Sequence, residues 1–100
     1  MKREEQIKNE IKNAILSEKD NLSDYKVFFF GSRVSGTHRE RSDFDIGITG
    51  HSNVDLHIFF RLEEKLESIN TLYKIDLVNF SNVSNQFRKE ALKHMEVIIG

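Results

Sequence analysis

The sequence predicts one α/β domain in the order α-β-α-β-α-β-α, with a mixed sheet and a short final strand. Three observations carry that expectation. Short stretches rich in aromatic and β-branched residues, YKVFFF (25–30), FDIGIT (44–49) and TLYKIDLVNF (71–80), have the composition of strands. The segments around them place apolar residues at helical spacing. The chain of 100 residues has room for one hydrophobic core and not for two.

Residues 2–19 space Ile7, Ile11 and Ile15 along one helix face, with Lys and Glu on the others. A turn at 21–24 leads into the first strand, 25–30, whose three successive phenylalanines belong to the core. Gly31 and Ser32 end it, and Ser32 suits the N-cap of a short helix closed by Gly36. A basic loop, THRERS, precedes the second strand, 44–49. Asp55 is placed to cap a helix with Leu56, Phe59, Phe60, Leu66 and Ile69 on its apolar face. The third strand spans 71–80, and Ser84 or Asn85 opens a helix carrying Phe87, Ala91, Leu92 and Met95 on one side. Residues 97–99 add a short strand at a sheet edge. No repeat or low-complexity tract interrupts this order.

Composition excludes several classes of function. The formal net charge is -1, which gives no bulk attraction to nucleic acid or to an anionic membrane. There is no cysteine, hence no disulfide, zinc–thiolate site or cysteine nucleophile. The opening MKREEQIKNEIKN is too polar for a signal peptide, and no apolar run approaches a membrane span, so a cytoplasmic protein is expected. There is no proline, and four of the five glycines (Gly31, Gly36, Gly47, Gly50) fall between 31 and 50, marking that segment as unusual. His51, His57 and His94 are scattered without ligand spacing and are expected at the surface.

The chemistry concentrates in one constellation. Gly31-Ser32 is followed, after ten residues, by Asp43-Phe44-Asp45, and a third acid, Asp76, lies inside the apolar strand YKIDLV. Positions i and i+2 of a strand share a face, so Asp43 and Asp45 point together and repel unless a cation lies between them. Asp76 is costly to bury alone among Ile75, Leu77 and Val78. Setting the third strand beside the second would resolve both problems with one all-oxygen site suited to Mg²⁺. A Gly-Ser step from strand to short helix exposes backbone N–H groups that can cradle phosphate, with the Ser32 hydroxyl beside them. Arg33, His38, Arg39 and Arg41 are close enough in sequence to meet a triphosphate.

The stretch GSRVSGTHRERSDFDIGI resembles the signature of the DNA polymerase β-like nucleotidyltransferase superfamily. Taken whole, with the late Asp of KIDLV and the closing FRKEALKHMEVII, the chain most resembles the minimal nucleotidyltransferase (MNT) family. That resemblance implies a polymerase β palm-like domain over 1–100 and a two-metal mechanism. Asp43 and Asp45 would bridge two Mg²⁺ ions, and Asp76 would ligate the one that activates the attacking hydroxyl. Gly31 and Ser32 would hold the terminal phosphates of ATP, with Arg33 and Ser42 also at the nucleotide. The resemblance further implies an antitoxin that transfers AMP onto a tyrosine hydroxyl of a HEPN-domain toxin. The chain shows no walls for base or acceptor, so a partner or second copy is expected to complete the site; neither a membrane nor direct nucleic-acid binding is expected.

Asp43 and Asp45 alone would suit a solvated turn or a helix-capping pair, and Asp76 could simply pair with Lys74 or be a strand-edge charge. Gly31-x-x-x-x-Gly36 begins like a P-loop, but Thr37-His38 stands where Lys-Ser/Thr is needed. The basic loop 38–41 could be no more than a solvated loop. The sequence is also compatible with two other functions, a binding module that masks its partner without catalysis, and a small-molecule nucleotidyltransferase of the aminoglycoside type.

Overall fold

A computed structural model of the chain describes residues 3–36 and 43–100. The strands are β1 (Tyr25–Phe30), β2 (Phe44–Gly50), β3 (Ile75–Asn79) and β4 (Glu96–Ile99). The helices are α1 (Glu4–Leu16), the single turn α2 (Ser32–Ser35), α3 (Leu56–Glu67) and α4 (Asn85–Lys93). The sheet order is β3-β2-β1-β4. β1 runs antiparallel to β2 and β4, whereas β2 and β3 are parallel and joined by the α3 crossover, so the sheet is mixed as expected.

Strand alternation divides the interior into two layers. Val27 and Phe29 of β1 join Phe44, Ile46 and Ile48 of β2 on the face covered by α1 and α3, where Ile7, Ile11, Ile15, Leu62 and Leu66 are buried. Phe28 and Phe30 point the other way and pack with Phe80 and Ala91 under α4. Phe80 meets Phe28 and Phe30 edge-on at 5.1 and 5.3 Å between ring centroids. Gly47 makes this second layer possible. A Cβ there would stand 2.6 Å from the Phe28 ring and 2.7 Å from that of Phe80.

The caps of α3 and α4 follow the sequence, whereas Ser32, expected as an N-cap, is the first residue within α2. Asp55 accepts hydrogen bonds from the His57 and Ile58 backbone N–H groups, and the Ser84 hydroxyl accepts one from Phe87. Three expectations need correction. The first helix stops at Leu16, because the chain tightens into a 3₁₀ turn (Lys19–Leu22) that delivers Leu22 to the core. The third strand begins at Ile75 and not at 71, leaving Leu72 92% exposed. The buried stripe of α3 runs through Leu62 and Leu66, while Leu56 and Phe60 are more than half exposed. At 3.6 residues per turn those two point away from the stripe that meets the sheet.

Glu18 is a buried carboxylate with no distinguishing sequence signal. It is 5% exposed, accepts hydrogen bonds from Arg61 (2.7 Å) and Asn21 (2.8 Å), and pairs with Lys65 at 3.1 Å, fastening the end of α1 to α3. The Arg61 hydrogen bond, more than any other contact, lowers its pKa from 4.5 to about 2. A depressed carboxylate contributes stability above its unfolded pKa and loses it as pH falls through the folded one. Glu18→Gln is expected to cost about 2 kcal/mol near pH 7, the scale of hydrogen bonds to charged groups. The deficit should shrink in denaturant melts run between pH 4.5 and 2. An equal deficit at both ends of that range would show that the charge contributes nothing.

Candidate active site

Parallel pairing of β2 with β3 sets the geometry. Its register places Asp45 directly opposite Asp76, and the Phe44 N–H donates to the Lys74 carbonyl at 2.9 Å where the ladder begins. Asp43 stands two residues before Asp45 and faces the same way. One carboxylate oxygen from each of Asp43, Asp45 and Asp76 lies within 4.8 Å of the other two. All three residues are partly buried, on the face of the sheet opposite α1 and α3.

This is the arrangement a divalent cation requires and three free carboxylates resist. Asp45 registers the strain: burial first, then the charges of Asp76 and Asp43, push its pKa above the ordinary carboxylate value. The donor set is all oxygen, held on adjacent strands and open on one side, which fits Mg²⁺ with positions left for phosphate oxygens.

Gly31 joins the phosphate-binding expectation to the carboxylates. It follows β1 at the point where Phe30 pairs with Asp45, and its φ of +85° lies in the left-handed region. A Cβ at Gly31 would overlap the Asp45 carboxylate outright, with Asp45 Cγ 3.2 Å away. The backbone therefore approaches the cluster as only glycine allows. α2 begins at Ser32, and the Val34 N–H donates to the Gly31 carbonyl at 3.1 Å.

Not every expected residue gathers here. Arg33 turns to the opposite layer. Its guanidinium is buried against the Phe44 ring (4.1 Å to the centroid) and the Tyr73 ring (5.0 Å), and it pairs with Glu4 of α1. From there its Nε donates to the Asp43 carbonyl at 3.3 Å. It supports the carboxylate strand from beneath and does not face the open side. A basic residue next to Gly-Ser signals phosphate in sequence; only the direction of α2 reveals the stacking. Ser42, His38, Arg39 and Arg41 lie outside the described residues. Lys74, the alternative partner of Asp76, does stand 3.7 Å from its carboxylate. His51, His57 and His94 are exposed, as expected.

Comparison with known proteins decides the family. The model of the family described as "Polymerase beta, Nucleotidyltransferase" matches residues 5–100. The chain belongs to the polymerase beta nucleotidyltransferase family. It is 33% identical over 78 residues to a protein of Haemophilus influenzae named a probable protein adenylyltransferase, MntA, spanning 78% of this chain and 68% of that one. It is 35% identical over 79 residues to a protein of Methanocaldococcus jannaschii named as a candidate protein adenylyltransferase, spanning 75% and 91%. Among solved structures it is similar to a toxin–antitoxin complex with AMP-PNP, at 25% identity and a TM-score of 0.65 over 89% of this chain and 73% of that one. The α/β nucleotidyltransferase fold expected from the sequence is the fold found, and this family member is an enzyme of the nucleotidyl-transfer class.

Proposed function

We propose that this nucleotidyltransferase moves AMP from ATP to a hydroxyl group of a partner protein, a HEPN-domain toxin, and so serves as its antitoxin. The carrying observation is the Asp43–Asp45–Asp76 cluster built against Gly31. Two relatives bear protein adenylyltransferase names, and a solved relative is a toxin–antitoxin complex holding an ATP analogue. The HEPN identity and the tyrosine acceptor rest on the resemblance to the MNT family.

In this reading residues 1–100 act as one domain. Asp43, Asp45 and Asp76 would together hold the Mg²⁺ that the MNT resemblance implies, two ions in that mechanism. Mg²⁺ bound there supplies charge neutralisation for the triphosphate and acidifies the attacking hydroxyl. Gly31 leaves room for the Asp45 carboxylate, and the backbone N–H groups at Gly31 and Ser32 meet the phosphates, joined by Ser42. Arg33 braces the Asp43 backbone from the α1 side. Tyrosine oxygen bonds to the α-phosphorus, pyrophosphate departs, and the hydroxyl proton passes to solvent or to a carboxylate of the cluster. ATP as donor sets the reaction in the cytoplasm.

The test is mass spectrometry of the toxin after incubation with this protein, ATP and Mg²⁺. A gain of one or more AMP units is expected, confined to tyrosine. Neutralisation of the toxin without any mass change would replace this reading with a masking, non-catalytic antitoxin.

A further inference from the structure

Lys74 precedes β3 by one residue and Asp76 by two, so its side chain leaves the strand on the same face as Asp76. Its backbone is fixed, because its carbonyl accepts the first hydrogen bond of the β2–β3 ladder from Phe44. Its side chain is not: it is 69% exposed, and Nζ stands 3.7 Å from Asp76 Oδ2, an ion pair without a tight hydrogen bond. The lysine charge also reaches Asp45, where it opposes the repulsion from Asp76 and Asp43. Arg33 opposes it too, but from the opposite layer, where it is stacked on Phe44 and paired with Glu4. A loosely held ammonium on a fixed backbone, beside one of three converging carboxylates, is placed to act as an exchangeable cation.

We infer that Lys74 is the resident counter-ion of the carboxylate cluster: it holds Asp76 while the metal is away and competes with the metal for it. This deepens the metal reading above and rests on it. With a cation held by the carboxylates, the Lys74 ammonium would leave Asp76 for solvent or a phosphate oxygen. The lysine thus lowers the metal affinity of the ATP-free enzyme while keeping the empty cluster from flying apart. It is a positioning residue, acting through Asp76.

The experiment is Mn²⁺ titration of the purified protein without nucleotide, followed by the electron paramagnetic resonance of the free ion, on wild type, Lys74→Met, Lys74→Arg and Asp76→Asn. Lys74→Met is expected to bind Mn²⁺ about two- to fivefold more tightly at low salt, the span available to a half-exposed ion pair, with the gap closing at high salt. Lys74→Arg should return affinity toward wild type. In thermal melts Lys74→Met should fall below wild type in EDTA and match it in saturating Mg²⁺. Equal or weaker Mn²⁺ binding by a folded Lys74→Met protein would overturn the inference while leaving the metal site standing. Saturable binding absent from wild type, or unchanged in Asp76→Asn, would remove the metal reading itself.

Discussion

Asp45→Asn is expected to cut AMP transfer by on the order of a thousandfold, the scale of losing one preorganised electrostatic group at a reacting centre. The same substitution should leave the metal-free protein as stable as wild type or more so. Asn keeps the shape of the side chain and removes the middle charge of three carboxylates whose oxygens lie within 4.8 Å of one another. Burial and the Asp76 and Asp43 charges raise the Asp45 pKa. A carboxylate raised above its unfolded pKa penalises the fold at pH values above the folded pKa, and the penalty lifts as pH falls toward the unfolded value. At pH 7 in EDTA the wild type carries that penalty and the variant does not. The Asp45→Asn melting temperature in EDTA should therefore hold or rise, while the stabilisation by Mg²⁺ expected of wild type disappears. Rapid transfer by the variant, or a pronounced drop in its EDTA melting temperature, would mean that Asp45 is a structural acid and not a ligand.

Gly31→Ala should damage the site without replacing any of its carboxylates. The φ of +85° costs an alanine about 1–2 kcal/mol. The added methyl would also collide with the end of the Asp45 side chain. That side chain is short and open on one side, so it yields by turning away, and the carboxylate leaves its place opposite Asp76. A misplacement of about 1 Å at a reacting centre can cost about a hundredfold in rate. The expected result is a folded protein, melting several degrees lower, with transfer down about a hundredfold and Mn²⁺ binding weakened in parallel. Full activity in Gly31→Ala would show that the close approach of backbone and carboxylate has no catalytic consequence.

Residues whose partners sit nearby in sequence declared themselves early. Asp43 and Asp45 share a face because strands alternate, and Gly31-Ser32 marks the end of YKVFFF because nothing there continues a strand. Asp76 was conspicuous because a lone charge inside an apolar strand demands a reason. The caps at Asp55 and Ser84 are local hydrogen bonds and were legible as such. Less legible were the features set by rotation about an axis. Leu56 and Phe60 belong to an apolar sequence but not to the stripe of α3 that meets the sheet. Glu18 looks like any surface glutamate until α3 brings Arg61 and Lys65 against it.

Arg33 and Lys74 show where the division falls. The sequence alone singled out the three carboxylates that the fold brings together, because alternation, spacing and the cost of an isolated buried charge are local constraints. It could not determine which basic residue, among the described ones, stands beside the cluster. That depended on the register joining Asp45 to Asp76 and on the direction in which α2 leaves β1, both outcomes of packing α1 and α3 against one face of the sheet. Those contacts turned the guanidinium beside Gly31-Ser32 into the core beneath Phe44, and left the lysine of an unremarkable strand end standing before the three carboxylates.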